Sequence, residues 1–324
     1  MRQIEENKMM LLAPTRSLEI TKMQIKAGAD EVYLGLSNKK YATFSFNGRF
    51  KEMDSVSAQV KDEEELKKIV EVCHNNGVKV NYAANVHHIA PELEDEYLEY
   101  VKKGVSAGVD YLIISNIGLV KLVRKANIDL PIVMGAFALI PNVEHVRMLR
   151  DIGVKRVVLP HAVKLEELRD FCKIDGIEVE VFGFIGGGNN CGRCMLLHSP
   201  NKKEIAAGCR AGYTVESSDG KKFEQELFLD AAADCALCNI PDLINIGVDV
   251  IKIIGRESAM PSFTSKVVNL FRKAIDGSYE GKDIEDIKEK FSREEEMWNI
   301  NWKPRFCEKG RCKFKSTKIT NSYI

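Results

Sequence analysis

The sequence predicts an α/β fold, a (β/α)8 TIM-like barrel, carrying a long Cys-rich insertion after the seventh strand and a helical, basic C-terminal tail. Three observations predict it. Eight short apolar runs read as strands, amphipathic stretches separate most of them, and a glycine turn introduces five. Strand, helix, glycine, strand, repeated along a chain, is the pattern of parallel βαβ units. Eight such units close a barrel. A doubly wound open sheet is the alternative, and no GxGxxG opens a helix after the first strand to support it.

The first run, residues 9–13, stands near the N-terminus. The next strands follow Ala27-Gly28-Ala29-Asp30, Asn76-Gly77 and Ala107-Gly108-Val109-Asp110. Residues 131–135 form the fifth, Ile152-Gly153 leads into the sixth, and residues 178–184 form the seventh. The eighth follows Ile246-Gly247-Val248-Asp249. Each glycine suits the position just past a helix C-terminus. The Val/Ile/Leu runs after them suit strands buried on both faces. Between strands, residues 63–75 place Leu66, Ile69, Val70 and Cys73 at helical spacing, and residues 92–107 and 142–151 behave alike. Two segments break the rhythm: 38–62, and 185–239 with its Gly186–Gly188 run.

Division by typical domain size gives two domains for 324 residues. One barrel of about 250 residues plus insertions fits as well. The expected division is residues 1–282 for the barrel with its insertion and 283–324 for the tail. Lys and Arg balance Asp and Glu at 47 each, so net charge gives no argument for nucleic-acid or membrane binding. No run reaches the roughly 18 apolar residues of a spanning helix. The N-terminal residues, with Arg2, Glu5, Glu6 and Lys8, do not read as a signal peptide. A cytoplasmic location is expected.

The nine cysteines are placed unevenly. Cys73 and Cys172 stand alone in apolar helical patterns and read as inert small hydrophobes. The other seven are Cys191, Cys194, Cys209, Cys235, Cys238, Cys307 and Cys312. Five of them fall in the insertion after strand seven, over the barrel face where active sites lie. Thiolates at this density select zinc, Cu(I) or iron–sulfur clusters. Cys191-x2-Cys194 with Cys235-x2-Cys238 fits a closed zinc site. Cys194, Cys209 and Cys238 with Cys191 or Cys235 fit an iron–sulfur cluster. Spacing leaves both open.

Several motifs carry a family resemblance. Leu11-Leu12-Ala13-Pro14 followed by Ala27–Gly35, then Gly192-Arg193-Cys194, Gly208-Cys209, and Cys238 with Ile240-Pro241-Asp242-Leu243 and Lys252-Ile253-Ile254-Gly255-Arg256, resemble the peptidase U32 ("collagenase-like") family in that order. The resemblance implies a TIM-like barrel. It also implies kinship with members that are oxygen-independent hydroxylases of small molecules or RNA bases, holding a [4Fe-4S] cluster on four cysteines. Other members carry peptidase labels. Carried over by motif, the ligands are Cys194, Cys209 and Cys238, with Cys191 as the fourth and Cys235 as its substitute. The family's acidic residue before the closing Gly-Arg is Ile254 here, and Glu257 follows instead. The implied substrate is a small molecule or an RNA base, with a partner subunit of the same family as a further expectation.

Arg256, after strand eight, is a candidate anchor for a carboxylate or phosphate, and His161, after strand six, a candidate base. His87, His88, Asn81 and Asn85 follow or belong to strand three and are candidates for the mouth; His198 lies in the insertion. Cys307-x4-Cys312 sits in the basic tail, either closing onto the barrel or mobile. A hydrolase finds no motif support: there is no GxSxG or HExxH, and neither Ser115 nor Ser199 has an evident base.

Overall fold

The computed structural model describes residues 8–41, 58–86, 89–184, 213–225, 235–256, 258, 260–308, 310 and 312–314. Eight parallel strands close the expected barrel. They are β1 (Met10–Pro14), β2 (Glu31–Leu34), β3 (Lys79–Ala83), β4 (Tyr111–Ile114), β5 (Ile132–Met134), β6 (Val154–Val158), β7 (Glu178–Phe184) and β10 (Val250–Ile253). Closure runs through β1, which pairs with β2 on one side (Leu12 beside Glu31) and β10 on the other (Leu11 beside Ile251). The insertion adds an antiparallel hairpin that the sequence pattern did not announce, β8 (Tyr213–Glu216) and β9 (Lys222–Gln225).

The helices between strands are α1 (Leu18–Lys26), α2 (Glu63–His74), α3 (Glu94–Ala107), α4 (Ile117–Lys125), α5 (Val143–Asp151), α6 (Leu165–Cys172) and α7 (Ile240–Ile246). Four of them start under a side-chain cap: Ser17, Asp62, Asn116 and Asn142 each accept a first-turn N–H. The turn glycines Gly28, Gly77, Gly108, Gly153 and Gly247 have φ between +69° and +92°. At Gly108 the left-handed residue ends α3 by donating its N–H to the Gly104 and Val105 carbonyls. The aspartates that follow these turns do a second job. The Leu11 N–H donates to Asp30 at 2.7 Å, Val80 to Asp110 at 2.7 Å and Val179 to Asp249 at 2.8 Å. Each carboxylate thus caps the N-terminal part of a neighbouring strand at the bottom of the barrel.

Most of the core lies between strands and helices. Cys73 belongs to it, and burial pushes its thiol up to about 12, as an inert cysteine requires. A second cluster fills the barrel itself, including Leu12, Tyr33, Tyr111, Val133 and Phe182.

Beneath these apolar residues the barrel holds charge. Arg156 is fully buried and makes two hydrogen bonds to Glu31, at 2.7 and 2.8 Å, and one to Glu178 at 2.7 Å. Lys252 donates to Glu180 at 3.0 Å, and the Arg156–Glu180 approach of 3.5 Å joins the pairs. Asn81 donates to Glu31 at 2.8 Å inside this layer. The expectation that Asn81 lines the mouth is therefore corrected. It is the third residue of β3 and, being buried inside the barrel, lies below the rim. Asn85, beyond the strand, accepts a hydrogen bond from the Ser115 hydroxyl at 2.7 Å.

After β10, α8 (Pro261–Tyr279) and α9 (Ile284–Glu294) lead to a π-helical turn, Trp298–Cys307. This tail packs onto the barrel. Trp302 is 1% exposed, stacks on Phe184 at 3.6 Å between ring centroids, and is flanked by Trp298 and Phe306. Of the two sequence alternatives for the tail, closure onto the barrel holds for the described residues. Trp302→Ala is expected to cost about 3–5 kcal/mol, the usual loss for a buried aromatic. Urea unfolding checks it; an unchanged midpoint would mean the tail is not part of the cooperative unit. None of the described helices is long and apolar enough to cross a membrane.

Candidate active site at the barrel mouth

The C-terminal ends of the strands form a rim above the charged layer. Between rim and charges lies a floor of aromatic rings. Lys252 Nζ sits 4.4 Å from the centre of the Tyr33 ring, and the Arg256 guanidinium 5.5 Å from the same ring. Arg256 is 3% exposed, and its Nη1 donates to Gln59 Oε1 at 3.3 Å. Arg16 holds its backbone, donating to the Arg256 carbonyl and, at 3.1 Å, to that of Ser258. The site is thus built from the ends of β1 and β10 and the segment preceding α2. The small residue Gly35 leaves room for it: a Cβ there would collide with Gln59 Oε1 and come to 3.0 Å from Arg256 Nη1.

His161 stands after β6 and lies flat on Phe182, with ring centres 4.1 Å apart and planes within 12°. Lys313, from the tail, places its Nζ 3.3 Å from His161 Nδ1. Burial, then the Lys313 charge, holds the imidazole well below its ordinary pKa. His161 is therefore neutral near pH 7. It accepts a hydrogen bond well and is a weak base, since a strong proton acceptor needs a pKa near the working pH.

The linkage follows from that direction. An unfolded histidine titrates at about 6.5. As pH falls below that value the unfolded chain takes a proton that the folded chain refuses, so stability falls. Urea titrations at about pH 7.5 and about pH 5.5 should show a smaller loss for His161→Phe than for the parent. An identical loss would mean that His161 is not buried neutral.

Ser115 has no base beside it: its hydroxyl donates to the Asn85 amide oxygen, which takes no proton at neutral pH. Among the sequence candidates, Arg256 and His161 both lie on this rim. Cys191, Cys194, Cys209, His87, His88, His198 and Glu257 lie outside the described residues. Cys235 is buried where the insertion rejoins the barrel. It bridges to Phe184, the last residue of β7, and Ala236 N–H donates to the Gly183 carbonyl at 2.8 Å. Both ends of the insertion are therefore pinned at one point of the rim. Burial pushes the Cys235 thiol well above its ordinary pKa.

Cys238 faces elsewhere, into a cleft of about 530 Å3 shared with Cys307 and Cys312. No three His, Cys, Asp or Glu side chains among the described residues are grouped as a single metal ion would need. Sequence reasoning missed Arg16, Gln59, Tyr33, Phe182 and Lys313. Only Lys313 had a signal, its place beside Cys312 in the basic tail.

A barrel with a buried guanidinium at its mouth and a thiol-bearing insertion pinned to the same rim defines a class: a TIM-like barrel protein with a polar site at the C-terminal face. The particular family follows from comparison. The model of peptidase family U32 matches residues 16–310, and the chain belongs to that family. Curated relatives include the Escherichia coli protein named 23S rRNA 5-hydroxycytidine C2501 synthase, 26% identical over 86% of this chain and 41% of the relative. A second is the Bacillus subtilis tRNA hydroxylation protein P1, 26% identical over 82% of this chain and 63% of the relative. The chain thus spans about two fifths and just under two thirds of these relatives. Among solved structures, a ribulose-1,5-bisphosphate carboxylase/oxygenase from Pyrococcus horikoshii superposes with a TM-score of 0.50 at 12% identity, covering 89% of this chain and 63% of its own. That likeness concerns the barrel fold alone.

Proposed function

We propose that the chain is an iron–sulfur-dependent hydroxylase of an RNA base, acting where cellular RNA is found, in the cytoplasm. The observation that carries the reading is Arg256, buried at the barrel mouth over Tyr33 with its backbone clamped by Arg16. A guanidinium in that position offers a phosphate or a carbonyl edge a planar pair of donors. The Tyr33 and Phe182 rings and the neutral His161 provide an aromatic, acceptor-bearing floor suited to a flat base rather than to a peptide strand. The relatives named for rRNA and tRNA hydroxylation support the substrate class.

The cysteine chemistry of the insertion fits a soft metal group. Cys191, Cys194, Cys209 and Cys238 are the motif-derived ligands, with Cys235 as the alternative fourth. We favour Cys235, because it is buried at the point where the insertion meets the rim, whereas Cys238 looks into the tail cleft. When bound, an iron–sulfur cluster supplies electron transfer at the mouth. The chain's own residues hold the base, exclude water through Tyr33 and Phe182, and fix the substrate through Arg256.

The test is expression of the chain in a host stripped of its own RNA hydroxylases, followed by mass spectrometry of digested RNA. One nucleoside carrying an added oxygen should appear with the parent. It should vanish with Cys194→Ser, whose barrel stays folded because its core is built elsewhere. An iron-loaded parent that leaves every nucleoside unchanged would overturn the RNA reading.

A further inference from the structure

Seven cysteines lie in the last part of the chain, and a four-thiolate cluster at the mouth accounts for four of them. With Cys235 as its fourth ligand, three remain: Cys238, Cys307 and Cys312. They line one cleft of about 530 Å3, together with Glu285 and Lys288. The three come from separate elements: the turn before α7, the end of the π-helical turn, and the segment beyond it.

Their meeting is built by the fold. The tail is anchored by Trp302 on Phe184. Cys312 pairs with Cys235 in a parallel bridge, and the Lys313 N–H donates to the Cys235 carbonyl at 3.1 Å. None of these four cysteines is in a disulfide. Lys288, held by Glu285 through two hydrogen bonds of 2.8 Å, also reaches the Cys238 sulfur. An ammonium there offsets part of the negative charge that three thiolates would bring to one cleft.

We propose that Cys238, Cys307 and Cys312 hold a second metal centre, an iron–sulfur cluster that ties the tail to the barrel beside the mouth. Thiolates gathered from three elements select soft metals. A single tetrahedral zinc, with bonds of about 2.3 Å, draws its sulfurs to within about 4 Å of one another. The described residues contain no such group, and the thiols instead stand around an open cleft. A polynuclear core holds its ligands further apart and fits that spacing. Three thiolates leave one corner of the core facing the cleft. The inference stands whether or not the mouth acts on RNA.

The experiment measures iron, sulfide and zinc per chain, with electron paramagnetic resonance, after anaerobic reconstitution of the full chain with ferrous iron and sulfide. Parent, Cys307→Ser/Cys312→Ser and Cys194→Ser/Cys209→Ser are compared, each checked by circular dichroism. Each double variant should keep about half of the parent iron, with a different resonance signal remaining in each, and the combined variant should keep none. Cys312→Ala alone, which removes one sulfur and spares the Trp302 stack, should give the same loss as the tail pair and guards against a folding artefact. Full iron in the tail variants would overturn the proposal. So would one zinc per chain that depends on Cys307, or loss of all iron from both doubles, which would mean one shared centre. Failure of the mouth cluster reads differently: Cys194→Ser/Cys209→Ser would then keep the parent's iron while the tail variants lose it.

Discussion

Replacing Arg156 with methionine should destabilise the barrel by about 3–5 kcal/mol, the cost of leaving buried charge without its partner. Arg156 is the hub of the interior layer, bound to Glu31 and Glu178 and close to Glu180. Burial raises the pKa of Glu31, but the hydrogen bonds and charge of Arg156 outweigh it and hold the carboxyl below its usual range. Without Arg156 only the burial remains. Glu31 must then take up a proton or unfold the layer around it. Because its folded pKa is lowered in the parent, this pair contributes stability above the ordinary carboxylate range, and that contribution is lost as pH falls through it.

Methionine fills much of the space, so the loss is electrostatic rather than a cavity. Adding Glu31→Gln to Arg156→Met should recover part of it, since the stranded charge is then gone. Urea unfolding of the four members of this cycle checks both steps. Additive losses, with no recovery in the double variant, would show that Arg156 acts through packing alone.

The second large effect is expected at Arg256. Arg256→Lys keeps the charge and loses the planar pair of donors. The kcat/KM for base modification should fall by about 10–100-fold, the worth of a charge-assisted hydrogen bond of about 1.5–3 kcal/mol, with little change in melting temperature. Gly35→Ala should act on the same contact from the other side. Its new methyl collides with the movable end of Gln59, displacing the hydrogen-bond partner of Arg256 rather than the barrel. Parent-like turnover in Arg256→Lys would take Arg256 out of the site and leave it as a structural residue of the rim.

What was readable in the chain follows from the range of each interaction. The barrel was legible because its signals are local: helical and strand spacing, and a left-handed glycine after a helix. Cys73 was legible as inert for the same reason, lying on the apolar face of α2. Arg256 and His161 were placed on the rim because each follows a strand. Asn81 was misplaced because sequence alone gave no indication of whether a polar residue near a strand end stands at the rim or inside.

By itself the sequence determined that strands would alternate with helices eight times and that thiols would gather in the insertion and the tail. Only the tertiary structure decided which charges meet. Arg156, Glu31, Glu180 and Lys252 lie on four different strands, and in sequence each looks like a residue turned to water. Closure of the barrel turns them all toward one axis, where they must neutralise one another. The tail was decided the same way. Nothing local to Trp302 shows that its partner is Phe184, more than a hundred residues earlier, because stacking depends on where the chain returns in space. That return brings Lys313 to His161 and Cys307 and Cys312 to Cys238.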